Sequence, residues 1–121
     1  MSSDEFMGEV ERRAGISRED AERTTIAVLQ ELCDRLTGDE AFDLLSQLPY
    51  RLKKALIVSP APLRISKDEF VERIARELEI PPDEARTRIR AVFATLRQAV
   101  SWGAFEDVLE QLDPDYADLL A

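Results

Sequence analysis

The chain has 121 residues, with 25 Asp and Glu against 16 Lys and Arg, no histidine and one cysteine, for a formal charge of −9. This length suits one domain with a true core, the acidity opposes binding to a phosphate polymer, and the lack of histidine removes Ser-His-Asp and Cys-His catalysis and nearly every common zinc site. A lone thiol excludes an internal disulfide and, with no signal-peptide pattern, points to a reducing cytoplasm, while apolar stretches such as Ala55–Val58 fall far short of the ~20 residues of a membrane span.

The first predicted helix opens with Ser2-x-x-Glu5, a capping box in which serine accepts from free backbone N–H groups and the acid bonds back. A long second helix starts after Ser17-x-x-Asp20 and carries Ala21, Thr25, Val28, Leu29, Leu32 and Leu36 at helical spacing. A third follows Thr37 with Leu44, Leu45 and Leu48, and a short fourth follows Pro49. Ser59-Pro60-Ala61-Pro62 lacks periodicity, and its two prolines disfavour helix. It reads as a linker over residues 58–65. The same order then recurs. Ser66-x-x-Glu69 opens a helix, Pro81-Pro82-Asp83-Glu84 supplies a first turn that tolerates proline and favours acids, and Ala85, Ile89, Val92, Phe93, Leu96 and Val100 repeat the long stripe. A further helix follows Ser101 with Val108, Leu109 and Leu112, and Asp113-Pro114 caps a last short one. No segment alternates as a strand does.

An offset of about 64 residues aligns Ser2, Asp4, Glu5 and Phe6 with Ser66, Asp68, Glu69 and Phe70, and continues without a gap to Leu56 and Leu120. One uninterrupted register marks a duplication, with residues 2–57 as the first repeat and 66–121 as the second.

Asp4-Glu5-Phe6 with Val10 and Arg12, the Ala27-Val28-Leu29 run, Glu40-Ala41 and Gln47-Leu48-Pro49 resemble the bacterial and archaeal family called domain of unknown function 2267, over nearly the whole chain. The resemblance implies an all-helical protein without an established activity, and so carries over no catalytic residue.

Chemistry is sparse elsewhere. Cys33 falls within the long helix rather than at a helix N-terminus that would lower its pKa, and reads as a packed small hydrophobe, a redox or dimer-linking role being the alternative. The four glycines, at 8, 15, 38 and 103, lack the spacing of a phosphate loop. Asp113, Asp115 and Asp118 lack the turn of an EF-hand and read as a cap with a solvated first turn. Six acid-before-base pairs four residues apart, Glu9–Arg13, Glu19–Arg23, Glu31–Arg35, Glu69–Arg73, Glu72–Arg76 and Glu84–Arg88, read as solubility faces worth ~0.3–0.5 kcal/mol each.

The repeats disagree informatively. Glu22, Ile26 and Cys33 correspond to Arg86, Arg90 and Arg97, which marks these arginines as a candidate face for a small anion or an acidic partner, against the simpler reading that they face solvent or pair across helices. Arg51-Leu52-Lys53-Lys54 offers a smaller basic run able to touch a membrane surface or an acidic partner, though its chief expected role is an ordinary amphipathic helix. Trp102 and Phe105 replace Gly38 and Ala41, either as core or as an oligomer contact.

The residues thus point to an all-α bundle of two tandem repeats of a three-to-four-helix unit about a pseudo-two-fold axis. It needs no cofactor or metal, and acts through helix surfaces on a protein partner or on itself, as a non-enzymatic interaction or scaffold module. The alternative is a regulator binding a small anion or acidic partner on Arg86, Arg90 and Arg97. An enzyme using acids alone is a third, weaker reading.

Overall fold

A computed structural model describes residues 1–120. Among these residues every regular element is helical: α1 (Ser3–Ala14), α2 (Arg18–Cys33), α3 (Gly38–Ser46), α4 (Tyr50–Lys54), α5 (Lys67–Leu78), α6 (Pro82–Ala99), α7 (Trp102–Gln111) and α8 (Ala117–Leu120), with a 3-10 turn at Pro114–Tyr116 leading into α8. No helix is long and apolar enough to cross a membrane.

The helix starts follow from their caps. Ser2 accepts from the Glu5 N–H while the Glu5 carboxylate accepts from the Ser2 N–H, a complete capping box. Ser66 repeats only half of it. The Glu69 N–H donates to Ser66 Oγ at 3.2 Å, but the Glu69 carboxylate pairs with Arg73 at 4.0 Å. Ser17, Thr37 and Ser101 cap α2, α3 and α7 through side-chain oxygens, and Pro82 stands in the first turn of α6, where a missing N–H costs nothing. Asp113 makes no cap bond, because its carboxylate pairs instead with Arg64 at 3.4 Å.

α1 ends on Gly15 at φ 66°, and α5 ends on Glu79 at φ 56°, a left-handed turn held by a non-glycine residue. α2 stops at Cys33 although the apolar stripe runs on to Leu36. The carbonyl of Asp34 is taken by the Leu63 N–H at 3.0 Å, which ties the connection between α4 and α5 to the end of α2. Gln30 grips the same connection, donating to Ile57 O and accepting from the Ile57 N–H, both at 3.0 Å.

The centre of the core is the pair α2 and α6, which pack on each other and bury Val28, Leu29, Leu32, Ile89, Val92 and Leu96. α1 packs on both α2 and α6, and α5 packs on both α6 and α2. α3 and α7 form an antiparallel pair apart from this centre. The Thr37 N–H donates to Gln111 Oε1 at 2.9 Å and the Ser101 N–H donates to Gln47 Oε1 at 2.6 Å, so each helix start is tied to the other's end. Tyr116, only 1% exposed, stacks edge-on against Phe70 at 5.3 Å and donates to Ile65 O at 2.9 Å. It closes the second half much as Leu52 and Leu56 close the first.

Two of the six expected solubility arginines are interior residues. Arg35 and Arg88 are 4% and 6% exposed. Spacing along a helix finds a partner acid but is blind to what another helix lays over the pair. Arg88 reaches Glu84 at 3.1 Å and also Thr24 on α2 at 3.1 Å.

Candidate functional site

Cys33, the only thiol, ends α2 instead of lying mid-helix. It is fully buried, and burial together with the adjacent Asp34 carboxylate pushes its pKa up to about 12. Tyr116 is pushed to about 12, mainly by burial. Both shifts move away from reactivity at neutral pH. Among the described residues no three His, Cys, Asp or Glu side chains converge as a metal would require.

The candidate arginines have specific occupations. Arg86 pairs with Asp83 at 2.6 Å. Arg90 Nε donates to Asp118 O at 3.1 Å, and Arg97 Nη2 donates to Leu120 O at 2.5 Å. Two of the three therefore hold the carbonyl end of α8, where cationic donors answer free C=O groups and the negative end of a helix dipole. Arg97 also lies over the Phe105 ring at 5.4 Å. The divergence between Ile26 or Cys33 and these arginines thus coincides with different docking, since α8 packs on α6 whereas α4 packs on α1.

The aromatic pair is split. Phe105 is 2% exposed and belongs to the core, which removes it as an oligomer contact, whereas Trp102 is 61% exposed and stacks over it at 6.3 Å. Trp102 has company: Phe42 on α3 is 66% exposed. The layer these side chains share contains Asp39, Glu40 and Asp43 on α3 and Glu106, Asp107 and Glu110 on α7, with no Lys or Arg on either helix. None of the six acids lies in an ion pair, although twelve ion pairs are formed elsewhere among the described residues. Partial burial raises the Glu40 pKa above its ordinary value, with the charges of Asp107, Asp43, Asp39 and Glu110 adding to the effect. The layer is a concentration of uncompensated negative charge with two aromatic rings standing out of it.

Between α2 and α5 lies an open groove of about 510 Å³, with Ile26, Ala27 and Leu78 as apolar lining and Arg23, Arg73, Glu31 and Glu77 among its charged residues. Its mixed charge selects no ligand class.

The profile of a family described as "Uncharacterized conserved protein (DUF2267)" matches residues 3–119. The chain belongs to this DUF2267 family. In this DUF2267 member the match spans all eight helices nearly end to end, so family membership and helical architecture cover the same residues. A search of the curated proteins returns no match.

Sequence reasoning passed over the α3/α7 layer because its six acids are unremarkable among 25. The signal was present as segregation. Two helical segments of nine and ten residues have acids and no bases, while residues 44–67 have Arg51, Lys53, Lys54, Arg64 and Lys67 and no acid.

Proposed function

We propose that this chain is a non-enzymatic helical interaction module, built of two tandem copies of one unit about a pseudo-two-fold axis, with the α3/α7 layer as its working surface. The observation that carries the reading is the exposure of Phe42 and Trp102 on a layer whose six acids have no counter-ion. Exposed aromatic rings amid one sign of charge supply the ingredients of a specific contact: a desolvated anchor and electrostatic selection of the partner.

Support for the repeat comes from the exchange between Thr37 and Gln111 and between Ser101 and Gln47, in which donors and acceptors both differ by 64 positions. Such reciprocity is the mark of a self-complementary contact. A non-enzymatic role is supported by the upward shifts of Cys33 and Tyr116, both to about 12, which leave neither group poised as a nucleophile at neutral pH. The anion-regulator reading draws less support, because Arg86, Arg90 and Arg97 already spend donors on Asp83, Asp118 and Leu120. Cytoplasmic placement rests on the single thiol and the acidity of the chain.

The test is a pull-down from native lysate combined with sedimentation velocity, comparing the unaltered chain with Phe42→Ser/Trp102→Ser. The expected result is a defined assembly or partner that the double variant loses while its helical circular dichroism is unchanged. A chain that stays monomeric and recovers nothing overturns the reading.

A further inference from the structure

The acids of α3 and α7 are not the only uncompensated charges. On α4, Arg51, Lys53 and Lys54 are exposed, and none of them lies in an ion pair among the described residues, while the other two bases of the acid-free stretch are engaged, Arg64 with Asp113 and Lys67 with Asp118. Arg51 shares a shallow depression with Asp4 and Glu22 yet pairs with neither. The same stretch exposes Tyr50, Ile57 and Leu63. The chain therefore carries two unpartnered surfaces of opposite sign, each with bare apolar side chains: Phe42 and Trp102 amid acids, and Tyr50, Ile57 and Leu63 amid bases.

We infer that residues 50–63 of one copy dock on the α3/α7 face of a second copy, head to tail. The inference rests on the reading of α3/α7 as the working surface, and names its occupant. Charge complementarity selects that occupant. A second copy offering its own α3/α7 face would set six acids against six acids, so a symmetric dimer through this layer is disfavoured. Phosphate polymers and anionic lipid are repelled there for the same reason. A copy offering α4 brings three free cations and an exposed tyrosine to the acids and rings. Within one molecule α4 packs on α1, and its cations make no ion pair with α3 or α7.

Each copy bears a net charge of −9, which opposes association at long range. At physiological ionic strength, however, the screening length is about 8 Å, so contacts between the opposed patches outweigh distant repulsion. Because the two faces differ, the interface is heterologous. A copy that uses one face keeps the other free, and growth continues until rotation closes a ring.

The experiment is sedimentation velocity over a concentration series at ~0.1 M salt, with two neutralised variants whose fold is verified by circular dichroism. One is Asp43→Asn/Glu106→Gln/Asp107→Asn, the other Arg51→Gln/Lys53→Gln/Lys54→Gln. The unaltered chain should associate reversibly past the dimer or into a ring, and dissociate as salt is raised to ~0.5 M. Each variant alone should be monomeric, while their equimolar mixture should form a one-to-one dimer and stop, since it holds one intact acidic face and one intact basic segment. A symmetric dimer indifferent to both variants overturns the inference. So does a monomer that binds phosphatidylserine vesicles through Arg51, Lys53 and Lys54. A monomer that still captures a lysate partner through Phe42 and Trp102 sinks this inference and leaves the interaction module standing; one that captures nothing sinks both.

Discussion

Thr24 and Arg88 stand 64 residues apart and meet side chain to side chain, with Arg88 Nη1 donating to Thr24 Oγ1 at 3.1 Å in the buried seam between α2 and α6. Arg88 also reaches Glu84 at 3.1 Å and Asp20 at 3.9 Å, and its Nε has no partner. Removing Thr24 Oγ1 by Thr24→Val should cost about 1 kcal/mol. Arg88→Ala should cost about 2–3 kcal/mol, because it removes buried stem and hydrogen bonds together, while Glu84 and Asp20 are exposed enough to regain water. Urea unfolding measures both. A loss for Arg88→Ala no larger than for Arg73→Ala, whose side chain is a third exposed, contradicts an interior role.

The carbonyl end of α8 depends on α6. Replacing Arg97 with Ala removes the donor to Leu120 O and the cation over Phe105. The expected effect is local: amide exchange in α8 quickens several-fold, while global stability falls by no more than about 1 kcal/mol. Hydrogen exchange followed by NMR reads both quantities. Unchanged exchange in α8 would falsify the clamp.

Glu79 holds at φ 56° a turn that Gly15 makes at φ 66° in the first half. A side chain in this region clashes with its own carbonyl by roughly 1–2 kcal/mol, part of which glycine forfeits through greater freedom when unfolded. Glu79→Gly should therefore stabilise by about 0.5–1 kcal/mol, which raises Tm by about 4 °C. Gly15→Ala should destabilise by about 1 kcal/mol from the backbone alone, since an added Cβ meets nothing within 4 Å. Thermal melts of the two variants should move in opposite directions.

Glu40 has its pKa raised above 4.5 by partial burial and by Asp107, Asp43, Asp39 and Glu110. The folded state therefore binds this proton more tightly than the unfolded chain does, so the Glu40 contribution to stability falls as pH rises from the ordinary value through the folded one. Above that window the carboxylate is charged in both states and its repulsion persists. Asp107→Asn removes the largest of the named charges and should bring the Glu40 carboxyl pKa down, as an NMR titration of its side-chain carbon would record. A Glu40 titration that does not move contradicts the contribution of Asp107.

Cys33 should be inert in the folded protein. With its pKa at about 12 and no exposed surface, it presents almost no thiolate at pH 8. A disulfide reagent should label it only at the rate of unfolding, and quickly in urea. Fast labelling of the native chain contradicts the burial.

Much of this fold was legible in the chain itself, because local chemistry decides helix boundaries. Ser2, Ser17, Thr37, Ser66 and Ser101 cap helices where the sequence places them, for an N-cap needs only a side-chain oxygen within three residues of a free N–H. Helical spacing likewise picked out Val28, Leu32, Val92 and Leu96 as interior. What local spacing does not see is which face a neighbouring helix covers. Arg88 and Arg35 resemble surface arginines along one helix and become interior only when other helices pack over them, and Phe105 and Trp102, three positions apart, end on opposite sides of that divide.

The sequence by itself thus determined the helices, their order, the apolar stripes and the family, since each depends on residues close together in the chain. Only the tertiary structure decided what the charges do. It spent Arg90 and Arg97 on α8 and left the acids of α3 and α7, like the cations of α4, without partners, because an ion pair is settled by distances of a few ångströms between side chains that may lie dozens of residues apart.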